Sequence, residues 1–264
     1  MLPILCFILF ISSVVLLFVN QKYKRKYIKV YKDEIISNFI KGLYPNLTYK
    51  TTEAYETLGI EARKSYEKAN FDGRTFNRFF TDDYIQGNTE NDVKFQMCDI
   101  NVQQVTRSGK HTNVETLFQG MFAYMDCKKT LNTYIRITNK NVGNLDESIM
   151  NVTGGIFKGN DRVETDHAEF EEIFNVYSED KILTLRLLTT DTMEYLAEFY
   201  KKLKFEIVIK ENHIFFRFFT GPMFEPKIFG KSMDKEYLFT CYSALKFMNE
   251  ITNRLNKLLE EVEL

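Results

Sequence analysis

The chain has 264 residues with 44% hydrophobic, 27% charged and 15% aromatic content, which places it among globular proteins and excludes the disordered, collagen-like and disulfide-scaffold classes. Lys and Arg number 35 and Asp and Glu 36, but six of the bases fall together in an acid-free stretch from Lys22 to Lys32, so that from Asp33 onward 29 basic residues stand against 36 acidic ones, a net charge of −7. A surface this acidic is poorly suited to neutralising phosphates, and nucleic acid is excluded as a leading partner.

Leu2 to Val19 carries no charge and is interrupted only by Pro3, Ser12 and Ser13. At about 1.5 Å per residue this run is long enough to cross a hydrocarbon core about 30 Å thick, so residues 1–20 are expected to form a transmembrane anchor. A cleaved signal peptide is the competing reading, but Met1 to Ile4 holds no basic residue and Leu17 to Asn20 no A-x-A-like site. The bases that follow (Lys22, Lys24, Arg25, Lys26, Lys29 and Lys32) predict a single-pass topology with the N-terminus outside and the main domain cytoplasmic. The same six residues can contact anionic lipid headgroups, at about 1 kcal/mol each near a charged surface; a topology signal alone explains them equally well.

Beyond the anchor, Val30, Ile35, Ile36, Phe39, Ile40 and Leu43 recur at helical spacing until Pro45, which predicts a stiff amphipathic helix over 21–43. A second helix is expected over Thr52 to Lys68, the two forming a hairpin-like stalk within 21–70. From Asp82 the apolar period becomes two. Val93 to Val105, Val114 to Tyr124 and Leu131 to Ile137 read as three antiparallel strands, turning at Ser108-Gly109 and at Cys127 to Lys129. Asn139 to Val163, rich in Asn, Gly and Asp, reads as a loop. A short helix capped by Asp166 follows, then a strand over Lys181 to Leu188 and a helix from Thr190 to about Lys204. A hairpin over Phe205 to Phe219, turning at Glu211-Asn212, completes an α+β domain over 71–232. A long amphipathic helix over 233–264 closes the chain, available for self-association or a protein partner. The expected fold is therefore α+β: a transmembrane helix and helical stalk, an antiparallel sheet with flanking helices, and a long C-terminal helix.

Several segments appear in a recognisable order: Asp82-Asp-Tyr-Ile-Gln-Gly87, Leu117-Phe-Gln-Gly-Met-Phe122, Glu169 to Ser178, Leu187 to Met193, and Phe224-Glu-Pro226. In this order they resemble an uncharacterised bacterial membrane-anchored family, domain of unknown function 3137, over roughly Thr48 to Lys227. Ala168 and Thr190 stand where the family pattern has proline, and Met125 to Lys128 replaces its D-F-N-K element. The resemblance implies bacterial origin and membrane association, and it implies no specific activity.

Residues able to do chemistry are few and scattered. His167 and Glu171 share a helical face four residues apart, without a third ligand at metal-site spacing. Gly154, Gly155 and Gly159 lack the strand and helix context of a phosphate cradle. Cys98, Cys127 and Cys241 form no C-x-x-C and read as reduced, buried thiols, and Asp82-Asp83 with Glu169, Glu171 and Glu172 read as caps or solvated faces. No metal and no cofactor is expected, and no catalytic residue is assigned. The leading reading is a membrane-anchored interaction or scaffold domain. A membrane-associated enzyme, requiring Asp82, Asp126, His167 and Glu171 to converge, or a lipid-binding module, is the alternative.

Overall fold

The computed structural model describes residues 2–51, 56–71, 73–89, 92–140, 161–226 and 235–261. It opens with one unbroken helical rod. Helix α1 (Leu2–Val30) passes through a π-helical segment (Tyr31–Ile36) into α2 (Ser37–Leu43). The rod stops where Pro45 forces the preceding Tyr44 into an extended conformation. None of the described side chains of α1 is buried; Phe10, Leu16 and Phe18 stand fully out, and burial begins at Tyr31. Among the described residues no helix is long and apolar enough to cross a membrane, so the expected transmembrane span gains no support from the fold; the side chains of 1–9 and 11 lie outside that set.

The sheet has seven strands, all antiparallel: β1 (Leu47–Lys50), β2 (Arg78–Asn88), β3 (Lys94–Ser108), β4 (His111–Asn139), β5 (Asp161–Val163), β6 (Phe174–Ser178) and β7 (Phe205–Phe218). Their order is β1-β2-β3-β4-β6-β5, with β7 on the other side of β4. The 29-residue β4 is the spine. Its first half pairs with β3, its last residues with β6, and β7 follows both halves from Met121 to Ile137.

Five expectations are corrected. The polar stretch at Cys127 to Lys129 is an irregularity inside β4, and Glu211-Asn212 is another inside β7. They face each other across the pair, where register shifts fall between Asp126 and Tyr134, so what reads as two turns is one shared kink. The segment Lys181–Leu187 is a helix (α5), because the Asp180 side chain accepts from Leu183 N and starts it. Asp166 is not a cap: His167 Nδ1 accepts from Phe170 N at the head of α4 (Ala168–Ile173). The stalk is not a helical hairpin either, since β1 separates α2 from α3 (Glu56–Ala69) and the two helices lie on opposite faces of the sheet. Residues 52–55, and 141–160 of the expected loop, lie outside the described set.

Alternation along the strands assigns the faces. Met121, Ala123 and Met125 point into the larger core with Ile207, Phe216 and Phe218, while Phe122, Tyr124, Val208 and Phe215 point into the smaller one. Tyr31, Ile36 and Ile40 of the helical rod join the larger core, together with α4, α5, α6 (Thr190–Tyr200) and α7 (Lys235–Glu261). Ala62, Tyr66 and Ala69 of α3 cap the smaller one. The apolar stripe of α7 (Cys241, Leu245, Met248, Leu255) is spent inside its own chain, leaving Phe239 and Tyr242 exposed at its start.

Candidate functional site

The helical rod meets the sheet through a buried cluster of charges. Helix geometry places Lys32 on the buried stripe of Ile36 and Ile40. The Lys32 ammonium donates to Asp82 Oδ2 at 2.7 Å, Asp83 Oδ2 at 2.8 Å and Glu225 Oε1 at 2.9 Å, and only 3% of the residue is exposed. π-Helical segments are rare and concentrate at functional positions.

The two aspartates reach the same ammonium because β2 is bulged. Asp82 pairs with Asp99 and Ile85 with Met97, so two β2 residues stand opposite Cys98 alone, and Asp83 takes a left-handed φ of 57°. A regular strand would send Asp83 to the face opposite Asp82; the bulge re-aims it. Asp83 N then donates to Asp82 Oδ1 at 2.8 Å. Glu225 arrives from the segment after β7, where Phe224 has a φ of 58° and its ring meets Tyr49 edge-on at 5.9 Å. Tyr49 of β1 donates its hydroxyl to Asp83 Oδ1. Asp99 of β3 accepts from Met223 N through Oδ2, while its buried Oδ1 has no partner among the described residues.

Electrostatics follow from burial. Desolvation, joined by the Asp82 charge, pushes Asp83 up to about 7 against the pull of Lys32 and Tyr49. Asp99 is raised well above the carboxylate range, first by burial and then by Asp83. Burial pulls the Lys32 ammonium down, but attraction to Asp83 and hydrogen bonds to Asp82, Asp83 and Glu225 outweigh it and leave the ammonium above its usual value. Burial and the Asp83 charge also raise the Tyr49 hydroxyl. Asp82, Asp83 and Glu225 are spaced as the ligands of a metal would be, a grouping the linear sequence hides, and the Lys32 nitrogen lies between them as a built-in cation.

Asp83 therefore keeps its proton in the fold at pH values where the unfolded chain has lost it. Its contribution to stability is full below about pH 4 and is lost as pH rises through about 7. His213 opposes it: burial and the Lys68 charge hold the imidazole low, so its contribution is full above about pH 6.5 and is lost as pH falls through the lower value of the folded imidazole. The Asp83 part is read as a difference. Relative to Asp83→Asn, the wild-type chain in detergent is expected to gain about 1.4 kcal/mol in urea melts between pH 8 and pH 6; a difference that stays constant with pH would remove Asp83 from the titration.

The other residues singled out in the sequence are held apart. Lys22, Lys24, Arg25, Lys26 and Lys29 remain exposed on α1, and Lys32 alone is drawn inside. Asp126 lies 3.5 Å from His213 Nε2, and Lys68 Nζ is 3.3 Å from His213 Nδ1. Glu171 accepts from Thr165 N at 2.8 Å and from Arg162 at 3.0 Å. Asp82, Asp126, His167 and Glu171 thus have separate partners and form no common site. A second buried ion pair, Arg217 with Glu206, lies under the rings of Phe71 and Phe118 and ties β7 to Tyr66 of α3 and Thr138 of β4.

The family described as "Protein of unknown function (DUF3137)" matches residues 116–257. The chain belongs to this family. Within the DUF3137 match lie Glu206, Arg217 and Glu225, whereas Lys32, Tyr49, Asp82, Asp83 and Asp99 precede it. No curated protein matches the sequence. Among solved structures, the crystal structure of the mycobacterial trehalose monomycolate transport factor A, TtfA, is similar at a TM-score of 0.38 and 7% identity, over 76% of this chain and 96% of that one. A likeness at that level assigns no function.

Proposed function

We propose that this chain is a membrane-anchored interaction domain in which the rod Leu2–Leu43 carries an α+β domain at a fixed attitude to the membrane surface. The observation that carries the reading is the Lys32 clamp. A helix that starts with an uncharged run, and whose described side chains stay unburied through Val30, is fastened at its base to three carboxylates from two separate parts of the sheet domain. A flexible tether would suffice merely to keep a domain near a membrane; a buried ionic fastening sets distance and orientation, which matter when a partner must be met in a defined geometry. In this reading Leu2–Val19 is the membrane segment, and the bases behind it place the domain on the cytoplasmic side. The five exposed cations Lys22, Lys24, Arg25, Lys26 and Lys29 then lie at headgroup level, which also favours contact with anionic lipid.

Cross-linking in native membranes, with mass spectrometry of what co-purifies, tests the reading in the full chain and in one lacking Leu2 to Asn20. The full chain is expected to resist carbonate extraction and the shortened one to be released, with the same defined protein partner captured by both. Release of the full chain by carbonate would refute the anchor, and recovery of lipid alone, or of nothing, would refute the interaction domain.

A further inference from the structure

We propose that the charge cluster is a proton-operated joint: one proton held among its carboxylates keeps the helical rod docked on the sheet, and its loss lets the rod swing free. This does not depend on where the apolar end of the rod resides.

The cluster draws its groups from five parts of the fold. Lys32 comes from the rod, Tyr49 from β1, Asp82 and Asp83 from β2, Asp99 from β3 and Glu225 from the segment after β7. The buried thiols Cys98 of β3 and Cys241 of α7 lie within reach of the Asp83 and Asp99 charges. Asp82, half in solvent, has further contacts of its own, and the case stands without it. Among the described residues three other carboxylates face the Lys32 ammonium, and two of them, Asp83 and Asp99, are almost fully buried. Two buried carboxylates around a single cation do not both ionise readily, because the second charge meets the first across a medium that screens it poorly. Asp99 Oδ1, which has no partner among the described residues, points the same way: a buried bare oxygen is costly on an anion and far less so on a neutral carboxyl.

Geometry then makes the cluster a joint. The rod is held to the domain between Tyr31 and Leu43, through Lys32, through the buried Tyr31, Ile36 and Ile40 and through the partly buried Phe39 and Leu43, and none of the described side chains before Tyr31 is buried. The segment that carries Tyr31, Lys32 and Ile36 is itself π-helical, a place where the helical ladder is already interrupted and can bend. Ionising the whole cluster favours a state in which the carboxylates reach water, and the shortest route to water is to lift the rod. The position of Asp83, near 7, puts this change in the neutral range.

Electron–electron distance measurement on the full-length chain in detergent tests the joint. Spin labels at Lys26→Cys on the rod and Lys181→Cys on the domain, both exposed positions, are placed in a Cys6→Ser background; the other three cysteines are buried. At pH 6 a single narrow distance distribution is expected. At pH 8 a second or broader component should grow, its ratio to the first rising by about tenfold over that interval. Asp83→Asn, which mimics the protonated group, is expected to keep the narrow distribution at both values. Tyr49→Phe removes a donor that favours the ionised Asp83 and should move the midpoint to higher pH. A wild-type distribution unchanged between pH 5.5 and 8.5, or an Asp83→Asn chain that still broadens, would overturn the joint. Should Asp83→Asn fail to fold, an unmoved midpoint in Tyr49→Phe would do so.

Discussion

Replacing Lys32 by Met is expected to cost about 3–5 kcal/mol of stability at pH 8, the usual penalty when one partner of a buried ion pair is removed and the other is left behind. Methionine fills nearly the same volume and suits a helix, so packing and propensity are nearly conserved. What changes is charge. Asp83 and Asp99 lose the cation that offsets their burial, and Asp82 and Glu225 lose the donor they share. The pH dependence has the same origin. Without the ammonium Asp83 and Asp99 hold their protons more tightly still, and at pH 5 they can be neutral in the folded state, so the deficit should shrink there to about 1–2 kcal/mol. Urea melts of the full chain at the two pH values, followed by circular dichroism, make the comparison. A loss under 1 kcal/mol at pH 8, or a loss equal at both values, would mean that the clamp does not stabilise the fold. Lys29→Met, three residues earlier on the exposed helix, is the control and should move stability by no more than about 0.5 kcal/mol.

Lys32 was legible in the sequence only as the last of six bases, yet a signal was there. It lies four residues before Ile36 and eight before Ile40, on the stripe that the helix buries; a cation on an apolar stripe asks for a buried counter-charge. The partner half of the site was harder to see. Asp83 joins Asp82 on one face only because of the bulge in β2, and that same bulge breaks the period-two pattern by which strands are read, so β2 itself went unseen. Strand pairing brings Asp99 beside Asp82, and Glu225 arrives across 142 residues of chain. The α+β class, the helix ending at Pro45, the turn at Ser108-Gly109 and the long last helix rest on local periodicity and stop signals, and these the sequence carries plainly. The failures in β4, β7 and α5 share another cause. Short polar interruptions and a short apolar run are ambiguous when read locally; their meaning comes from the opposing strand in one case and from the Asp180 cap in the other.

Gly120 shows how the motif Leu117 to Phe122 supports the site from a distance. It sits in β4 opposite Ile100 with a φ of 155°, and a β-carbon there would lie 2.2 Å from the Phe218 carbonyl oxygen and 3.2 Å from Thr220 N. Both obstacles are backbone, so no rotamer can relieve them. Any side chain must push the end of β7 away from β4, at the point where Met121 N donates to Thr220 Oγ1 at 3.3 Å and Phe218 O accepts from Thr220 N at 2.9 Å. The chain leaves β7 here and, within a few residues, delivers Met223 N to Asp99 and Glu225 to Lys32. Gly120→Ala is therefore expected to lose about 3–5 kcal/mol, combining backbone strain of about 1–3 kcal/mol with overpacking of similar size. Its loss should be partly non-additive with Lys32→Met, because both act on the delivery of Glu225 to the cluster. Gly42→Ala in α2, where nothing lies within 4 Å of the added carbon, should instead be neutral or stabilise by up to about 1 kcal/mol. Urea melts of the two single alanine variants and of the Gly120→Ala, Lys32→Met pair decide the matter. Full additivity of the pair would mean that the close approach at Gly120 serves the sheet alone and leaves the cluster untouched.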